Sequence, residues 1–217
     1  MIDLSTTYLG LKLRTPLVSS ASPLTQELDS VRRLEDAGAS AIVFHSLFEE
    51  APQNETALVP GRPALDHYLS HFAKAKDKVT IPLIASLCGT TPSGWIEYAR
   101  QLEHAGADAI ELNLYQVPSQ ADVSGAALED GYVEIVSAVK SAVKIPIAAK
   151  LTPFFTSMSH MAKRFDQVGV DGLCTVQSLL SARHQSRSLG DPAECSVEHC
   201  SGVAASSHMD RYSLRSD

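Results

Sequence analysis

Short, continuous apolar runs alternate with longer amphipathic segments along most of this chain. The runs AIVF from Ala41, PLIASL from Pro82 and AIELNL from Ala109 suit strands that are buried on both faces. The segments between the runs repeat apolar residues at helical spacing. Strict alternation of strand and helix is typical of a parallel sheet covered by helices.

The pattern predicts five helices between six parallel strands, after a short hairpin that turns near Gly10. The first helix is predicted from the segment LTQELDSVRRL, with Thr25 as its N-cap and an apolar stripe formed by Leu24, Leu28, Val31 and Leu34. The second helix is predicted near Leu65–Lys76. The predicted strands are Leu17–Ser20, Ala41–His45, Pro82–Leu87, Ala109–Leu114, Ile147–Leu151 and Gly172–Val176.

One phrase, a helix end followed by glycine and an apolar strand, occurs three times. Its glycines are Gly38, Gly106 and Gly169, at intervals of 68 and 63 residues. Glycine just past a helix adopts a positive φ at little cost. Half of the interval is the length of one βα unit. A period of two units favours a (β/α)8 TIM barrel over an open doubly wound sheet, because alternate strands fill alternate interior layers of a barrel. The predicted fold is α/β, an incomplete TIM barrel of five to six βα units.

Composition limits the partners of this fold. The 217 residues are 44% hydrophobic and 20% charged, which is ordinary for a globular protein, and the net charge of -7 argues against nucleic acid as a partner. The sequence contains no apolar run long enough for a membrane span and no visible secretory signal at its start. We therefore expect a cytoplasmic protein that acts on a small molecule. Cys195, His199 and Cys200 lack a second ligand pair at zinc spacing, so no metal site is predicted.

Three segments, TTYLGLKLRTPLVSSASPLT, GADAIELNL and IPIAAKLTPFF, resemble the dihydroorotate dehydrogenase family in order and spacing. The resemblance extends from Met1 to about Leu173 and is greatest to the bacterial dihydroorotate-dehydrogenase-like branch. It implies a complete (β/α)8 barrel with bound FMN, oxidation of a dihydropyrimidine or a related ring, and a role in pyrimidine biosynthesis.

The resemblance also implies the cofactor contacts. Asn113 and Lys150 lie near the ends of the fourth and fifth predicted strands. Ala21 and Ser22 follow the first predicted strand, and Ser46 stands at the end of the second, directly after His45. In such a barrel the carboxyl ends of the strands form the active face. A lysine there stabilises the negative charge that a flavin ring gains with a hydride.

Each of these assignments has an alternative. Lys150 could form an interior ion pair with Glu111, or serve as the Schiff-base amine of a barrel aldolase. Asn113 could cap a turn, and Ala21 and Ser22 could belong to an ordinary loop. His45 stands where typical family members carry a lysine, and it could donate a hydrogen bond to the cofactor or be a satisfied strand-end histidine.

The catalytic base is the largest departure from the family pattern. Pyrimidine-synthesising members carry a cysteine or serine after the fourth strand, and Gln116 occupies that position here. An amide is neither an acid nor a base near neutral pH. Tyr115, its titratable neighbour, is a poor base at neutral pH when its phenol is unperturbed. A flavin oxidoreductase with a different substrate therefore fits better than one that oxidises dihydroorotate.

The last part of the chain does not continue the barrel pattern. Residues 1–173 are predicted to be the N-terminal part of an FMN-type barrel, and residues 174–217 an irregular, disordered tail. A barrel that lacks its later strands has unpaired edges and no phosphate-binding loops, which predicts weak or no FMN binding, a non-catalytic remnant as an alternative, and association into homo-oligomers.

We hypothesise that the tail arises from a shifted reading frame, either in the gene product itself or through a sequence error. In the shifted frame, each new codon consists of the last two bases of one codon and the first base of the next. With permitted codon choices, the tail then encodes apolar runs that resemble those of the family at this point. Met209 and Asp210 then necessarily give a tryptophan codon. We predict that sequencing the coding DNA around Leu173–Thr175 will show a single-base insertion or loss that restores a long open frame, and its absence would refute the hypothesis.

Overall fold

The computed structural model describes residues 2–49, 65–89, 91–115 and 122–175. Within them, a hairpin is followed by six strands in alternation with helices. The elements are β1 (Thr6–Tyr8), β2 (Leu11–Leu13), β3 (Val18–Ser19), a 3-10 helix (Pro23–Gln26), α1 (Leu28–Asp36), β4 (Ala41–Phe48), α2 (Leu65–Lys78), β5 (Leu83–Cys88), α3 (Pro92–His104), β6 (Ala109–Leu114), α4 (Gly125–Ala142), β7 (Ile147–Leu151), α5 (Met158–Gln167) and β8 (Gly172–Thr175).

The six later strands form one parallel sheet in the order β3-β4-β5-β6-β7-β8, so each strand pairs with the next one along the chain. This sheet curls into a half-barrel with helices between its strands. The prediction of an incomplete TIM barrel is confirmed. Residues 176–217, on which the predictions of a disordered tail and a shifted frame depend, lie outside the described residues.

Side chains alternate between the two faces of the sheet. The outer face carries large apolar residues that pack against the helices, among them Phe44, Leu87, Leu112 and Leu151. The inner face carries a smaller cluster, here called the inner apolar layer, in which strand residues meet the hairpin. Its members are Leu9, Leu13, Ala41, Val43, Ile84, Ala109 and Ala148.

The hairpin covers the inner face through its turn. Leu9 and Gly10 connect β1 and β2 as a two-residue loop with φ of 53° and 74°, the conformation expected for the tight turn of a hairpin. Leu9 is only 5% exposed because its side chain enters the inner apolar layer. A Cβ atom at Gly172 would lie 2.6 Å from Leu9 Cδ2, so glycine in β8 allows this close contact.

Carboxylates at the start of strands connect neighbouring βα units. Asp108 Oδ2 accepts a hydrogen bond of 2.7 Å from the Leu83 amide and pairs with Lys76 of α2. Asp171 Oδ2 repeats the arrangement, with 2.8 Å to the Ile147 amide and a pairing with Lys140 of α4. The sequence repeat around Gly106 and Gly169 therefore includes an aspartate that connects neighbouring units as well as the glycine that ends the helix.

The first helix differs from its prediction. Thr25 is fully buried within the 3-10 helix, α1 begins only at Leu28, and Glu27 occupies the N-cap position. Leu24 is 57% exposed, so its assignment to the apolar stripe is also wrong. The physical reason is that Thr25 bonds back to Ser22, which gives the tight three-residue spacing of a 3-10 turn.

The conformation at Gly106 gives a direct test of the repeat. Gly106 has φ of 90°, so alanine there should destabilise the protein by about 1–2 kcal/mol. Gly131 lies inside α4, where nothing would contact an added Cβ, so Gly131→Ala should stabilise by about 0.5–1 kcal/mol. Urea unfolding of both variants measures this. Equal midpoints for Gly106→Ala and the wild type would contradict the assignment.

Candidate active site

Polar side chains occupy the inner face beyond the inner apolar layer, toward the carboxyl ends of the strands. Because side chains two apart share a face, Ala109 places Glu111 and Asn113 on the inner face, and Ala148 places Lys150 there. Register adds neighbours: Asn113 pairs with Lys150, and Lys150 with Cys174. The polar cluster consists of Ser46, Ser86, Glu111, Asn113, Lys150 and Cys174.

An irregularity in β4 brings Ser46 into the polar cluster. Val43 pairs with Ile84 but Ser46 pairs with Ser86, so β4 has one extra residue across this interval. The two hydroxyl oxygens, Ser46 Oγ and Ser86 Oγ, lie 2.9 Å apart and share a hydrogen bond. Ser46 thus faces the interior, as the sequence predicted for a cofactor contact, and Ser86 is a neighbour that the sequence analysis missed.

Lys150 and Glu111 form an ion pair inside the half-barrel. Lys150 Nζ donates a hydrogen bond of 2.6 Å to Glu111 Oε1, and the two side chains are 19% and 6% exposed. Each charge offsets the cost of removing the other from water. The ion pair that the sequence left as an alternative is therefore present, and it directs the lysine ammonium toward Glu111, which lies two residues before Asn113 in β6.

The remaining titratable groups near the polar cluster stay protonated at neutral pH. Burial above all, together with the Glu111 carboxylate and against the opposing effect of Lys150, raises the pKa of the Cys174 thiol to about 11. Burial, together with Glu111 and Cys174, also raises the pKa of the Tyr8 phenol well above its ordinary value. Neither group has the basicity at neutral pH that proton abstraction requires.

The loop that carries Ala21 and Ser22 follows β3 at the same end of the sheet. Ala21 packs against the inner apolar layer. The Ser22 carbonyl accepts hydrogen bonds from the Thr25 amide at 3.3 Å and the Thr25 hydroxyl at 3.0 Å. This loop is therefore anchored by a residue of its own 3-10 helix.

His45 belongs to the helix side of the sheet. The extra residue in β4 places it beside Phe44, whose ring centroid is 4.3 Å from its own, and its ring also contacts Tyr68 and His71 of α2. His45 Nδ1 lies 3.0 Å from Thr25 Oγ1. Of the two interpretations of His45, the geometry favours the satisfied strand-end histidine.

The structure brings together three of the predicted cofactor contacts, Ser46, Asn113 and Lys150, and places Ala21 and Ser22 at the neighbouring strand end. Gln116, at the expected base position, lies outside the described residues, as do Cys195 and Cys200. Thr25 and Cys174 were missed as members of the site. The period-2 alternation of β8 could have identified Cys174, but no sequence signal indicated the buried role of Thr25.

The described residues contain neither a metal-binding group nor a membrane-spanning helix. Among residues 2–49, 65–89, 91–115 and 122–175, no group of three or more His, Cys, Asp or Glu side chains is arranged to hold a metal ion. In the same part of the chain, no helix combines the length and apolar character that a membrane span requires.

Two proteins with similar sequences carry the name dihydroorotate dehydrogenase. A protein of Methanothermobacter thermautotrophicus named dihydroorotate dehydrogenase B (NAD(+)), catalytic subunit, is 30% identical over 192 residues, which is 81% of this chain and 62% of the relative. An Aeropyrum pernix protein, provisionally named dihydroorotate dehydrogenase A (fumarate), is 30% identical over 195 residues, 82% of this chain and 62% of the relative. The chain is a homologue of the dihydroorotate dehydrogenases.

The chain is also similar to a protein with a different name. Subunit PreA of the NAD-dependent dihydropyrimidine dehydrogenase of Escherichia coli K12 is 28% identical over 204 residues, 82% of this chain and 49% of the relative. The chain thus spans 49% to 62% of the length of these relatives. No protein-family model matches it.

A solved structure supports the fold of this chain. The crystal structure of phosphonopyruvate hydrolase superimposes with a TM-score of 0.52 at 17% identity, covering 75% of this chain and 58% of that protein. That protein is a TIM-barrel enzyme. At this identity the similarity concerns the fold alone.

The burial of His45 predicts a pH dependence of stability. Burial above all, together with the nearby His71, lowers the pKa of the imidazole from 6.5 to about 4, against the opposing effect of a hydrogen bond with Thr25. The folded state therefore favours neutral His45, so its contribution is complete above pH 6.5 and is lost as the pH falls toward 4.

We expect the free energy of unfolding to decrease over this interval more steeply in the wild type than in His45→Asn, whose amide can still donate to Thr25. Urea unfolding at several pH values measures the difference, and NMR titration of the His45 ring measures its pKa. Identical pH profiles, with a His45 midpoint near 6.5, would contradict the prediction.

Proposed function

We propose that this chain forms part of an FMN-dependent oxidoreductase of the dihydroorotate dehydrogenase type, which acts on a small dihydropyrimidine-like ring. The observation that carries the proposal is the polar cluster, an ion pair with hydroxyl and amide groups on an otherwise apolar inner face. It lies toward the carboxyl ends of parallel strands, where the active sites of TIM barrels are found.

The described residues fit the ring portion of a flavin. A flavin ring presents carbonyl oxygens and nitrogens along its polar edge, and the Lys150 ammonium, the Asn113 amide and the Ser46 hydroxyl are groups that can meet them. The backbone of Ala21 and Ser22 lies at the adjoining strand end. The loops after the seventh and eighth barrel strands, which commonly hold a cofactor phosphate, are not among the described residues.

Each residue has a distinct role in this proposal. A bound flavin would supply the acceptor for a hydride from the substrate ring. Lys150 provides a fixed positive charge that would stabilise negative charge on a bound flavin ring. Glu111 fixes the direction of the ammonium. Asn113 and Ser46 orient the bound ring through hydrogen bonds.

The substrate differs from dihydroorotate in this proposal. Gln116 supplies no base, and the raised pKa values of Tyr8 and Cys174 keep both groups protonated. A substrate whose ring proton leaves without a strong protein base, or with water as the acceptor, is consistent with this set of groups.

The structure gives no support to a Schiff-base aldolase. A Schiff-base lysine must present a neutral amine to a carbonyl carbon. Lys150 Nζ instead donates a hydrogen bond to the buried Glu111 carboxylate 2.6 Å away, so its nitrogen is engaged by the protein rather than presented to a substrate carbonyl.

Substitution of Lys150 tests the proposal. In a titration of FMN followed by flavin fluorescence, Lys150→Met should weaken binding by roughly tenfold or more, because a charge-assisted hydrogen bond contributes about 1.5–3 kcal/mol. Lys150→Arg keeps the charge and should lose less. Glu111→Gln keeps the shape of the carboxylate and should lose an intermediate amount.

Two results would contradict the proposal. One is equal FMN affinity in the wild type and Lys150→Met, provided that circular dichroism shows both to be folded. The other is covalent trapping of a small ketone on Lys150 by borohydride, which would identify an aldolase.

A further inference from the structure

Thr25 is a buried hydroxyl with an unusual number of partners. Its side chain is completely buried, although it lies in a short 3-10 helix at the mouth of the half-barrel. Thr25 Oγ1 lies 3.0 Å from the Ser22 carbonyl oxygen, 2.7 Å from the His45 amide nitrogen and 3.0 Å from His45 Nδ1. A single hydroxyl group therefore joins the loop after β3 to the backbone and ring of a residue in β4.

The proton positions of this group follow from its partners. A carbonyl oxygen only accepts, so the one hydroxyl proton of Thr25 goes to Ser22. The two lone pairs of Oγ1 then accept from the His45 amide and from His45 Nδ1, which must carry a proton. Every donor and acceptor in the group is used, and the ring of His45 is fixed as its Nδ1–H tautomer.

A second set of bonds connects the same loop to α2. His71 Nε2 lies 3.2 Å from the Thr25 carbonyl oxygen, which can only accept, so this nitrogen carries the proton. Tyr68 donates a hydrogen bond of 2.6 Å to the His45 carbonyl. Thr25 is thus held from β4 and from α2 at once, and it in turn holds Ser22.

We propose that Thr25 is a positioning residue, which fixes the Ala21–Ser22 backbone at the mouth of the half-barrel, with His45 and His71 acting through it. The inference rests on the proposed function only in that Ala21 and Ser22 are taken to face the flavin. Ala21 packs on the inner apolar layer, so a displacement of Ser22 moves backbone at the edge of that layer.

Removing the hydroxyl takes a hydrogen bond from three groups around the buried Thr25 side chain. The His45 amide and the His45 Nδ1 would each lose their bond to Thr25, and the Ser22 carbonyl would keep only the 3.3 Å bond from the Thr25 amide. An unsatisfied buried group costs more than an average hydrogen bond contributes, so the loop should release its anchor and open.

The experiment compares Thr25→Val with Thr25→Ser in the full chain. Valine keeps the shape of threonine and removes the hydroxyl, whereas serine keeps the hydroxyl and loses a methyl group. Amide hydrogen exchange at residues 21–26 measures the loop without any cofactor, and FMN titration measures its effect on binding. We expect exchange faster by roughly tenfold or more in Thr25→Val and weaker FMN binding by a similar factor, with Thr25→Ser close to the wild type in both.

A further variant keeps the test decisive if Thr25→Val does not fold. His71→Phe retains a ring beside Phe44 and removes only the bond to the Thr25 carbonyl, so it should accelerate exchange at residues 21–26 to a smaller extent. Unchanged exchange in the folded variants would overturn the proposal.

The two readouts separate this proposal from the proposed function. Faster exchange with unchanged FMN affinity would support the positioning role of Thr25 and refute the contact between Ala21–Ser22 and the flavin. Faster exchange in a chain that shows no FMN binding at all would likewise support the positioning role, and it would refute the flavin contacts proposed for this chain's own residues.

Discussion

A parallel sheet must bury both of its faces, and this requirement determines how the rest of the chain is used. The outer face is covered by five helices, whose apolar residues contact large strand residues such as Phe44 and Leu112. Among the described residues, the inner face is covered by the hairpin and not by a helix. Small residues, including Ala109 and Ala148, leave room there for Leu9 and Leu13 of the hairpin.

The division of the inner face into an apolar and a polar half follows from this packing. The hairpin reaches one half and excludes water from it, so the side chains there are apolar. The other half lies toward the strand ends, and its charges are tolerated because Lys150 and Glu111 neutralise each other. Tyr8 is buried close enough to this half for Glu111 to raise the pKa of its phenol, so the hairpin also affects the electrostatics of the site.

The sequence predicted the elements better than the side-chain directions. The bounds of the strands at Ala109–Leu114 and Ile147–Leu151 agree with the structure, because continuous apolar runs and helix-ending glycines are local signals. The direction of His45 was not predictable, since it depends on one extra residue in the pairing of β4 with β5.

The role of Thr25 escaped prediction for a similar reason. A threonine before an apolar helical stripe has the local signature of an N-cap. Its actual partner, His45, lies 20 residues away and reaches it only after the sheet has formed. Local patterns describe short-range preferences, and here a long-range bond competed successfully with one of them.

The contact between Leu9 and Gly172 has a geometric consequence. It joins the first turn of the described chain to the last described strand, and the same leucine packs in one layer with residues of β4 and β5. The hairpin therefore sets the radius of curvature of the sheet from within, as a template of fixed width. The described strands are therefore curved without a closed barrel, and their contacts with the hairpin shape the concave surface of the sheet.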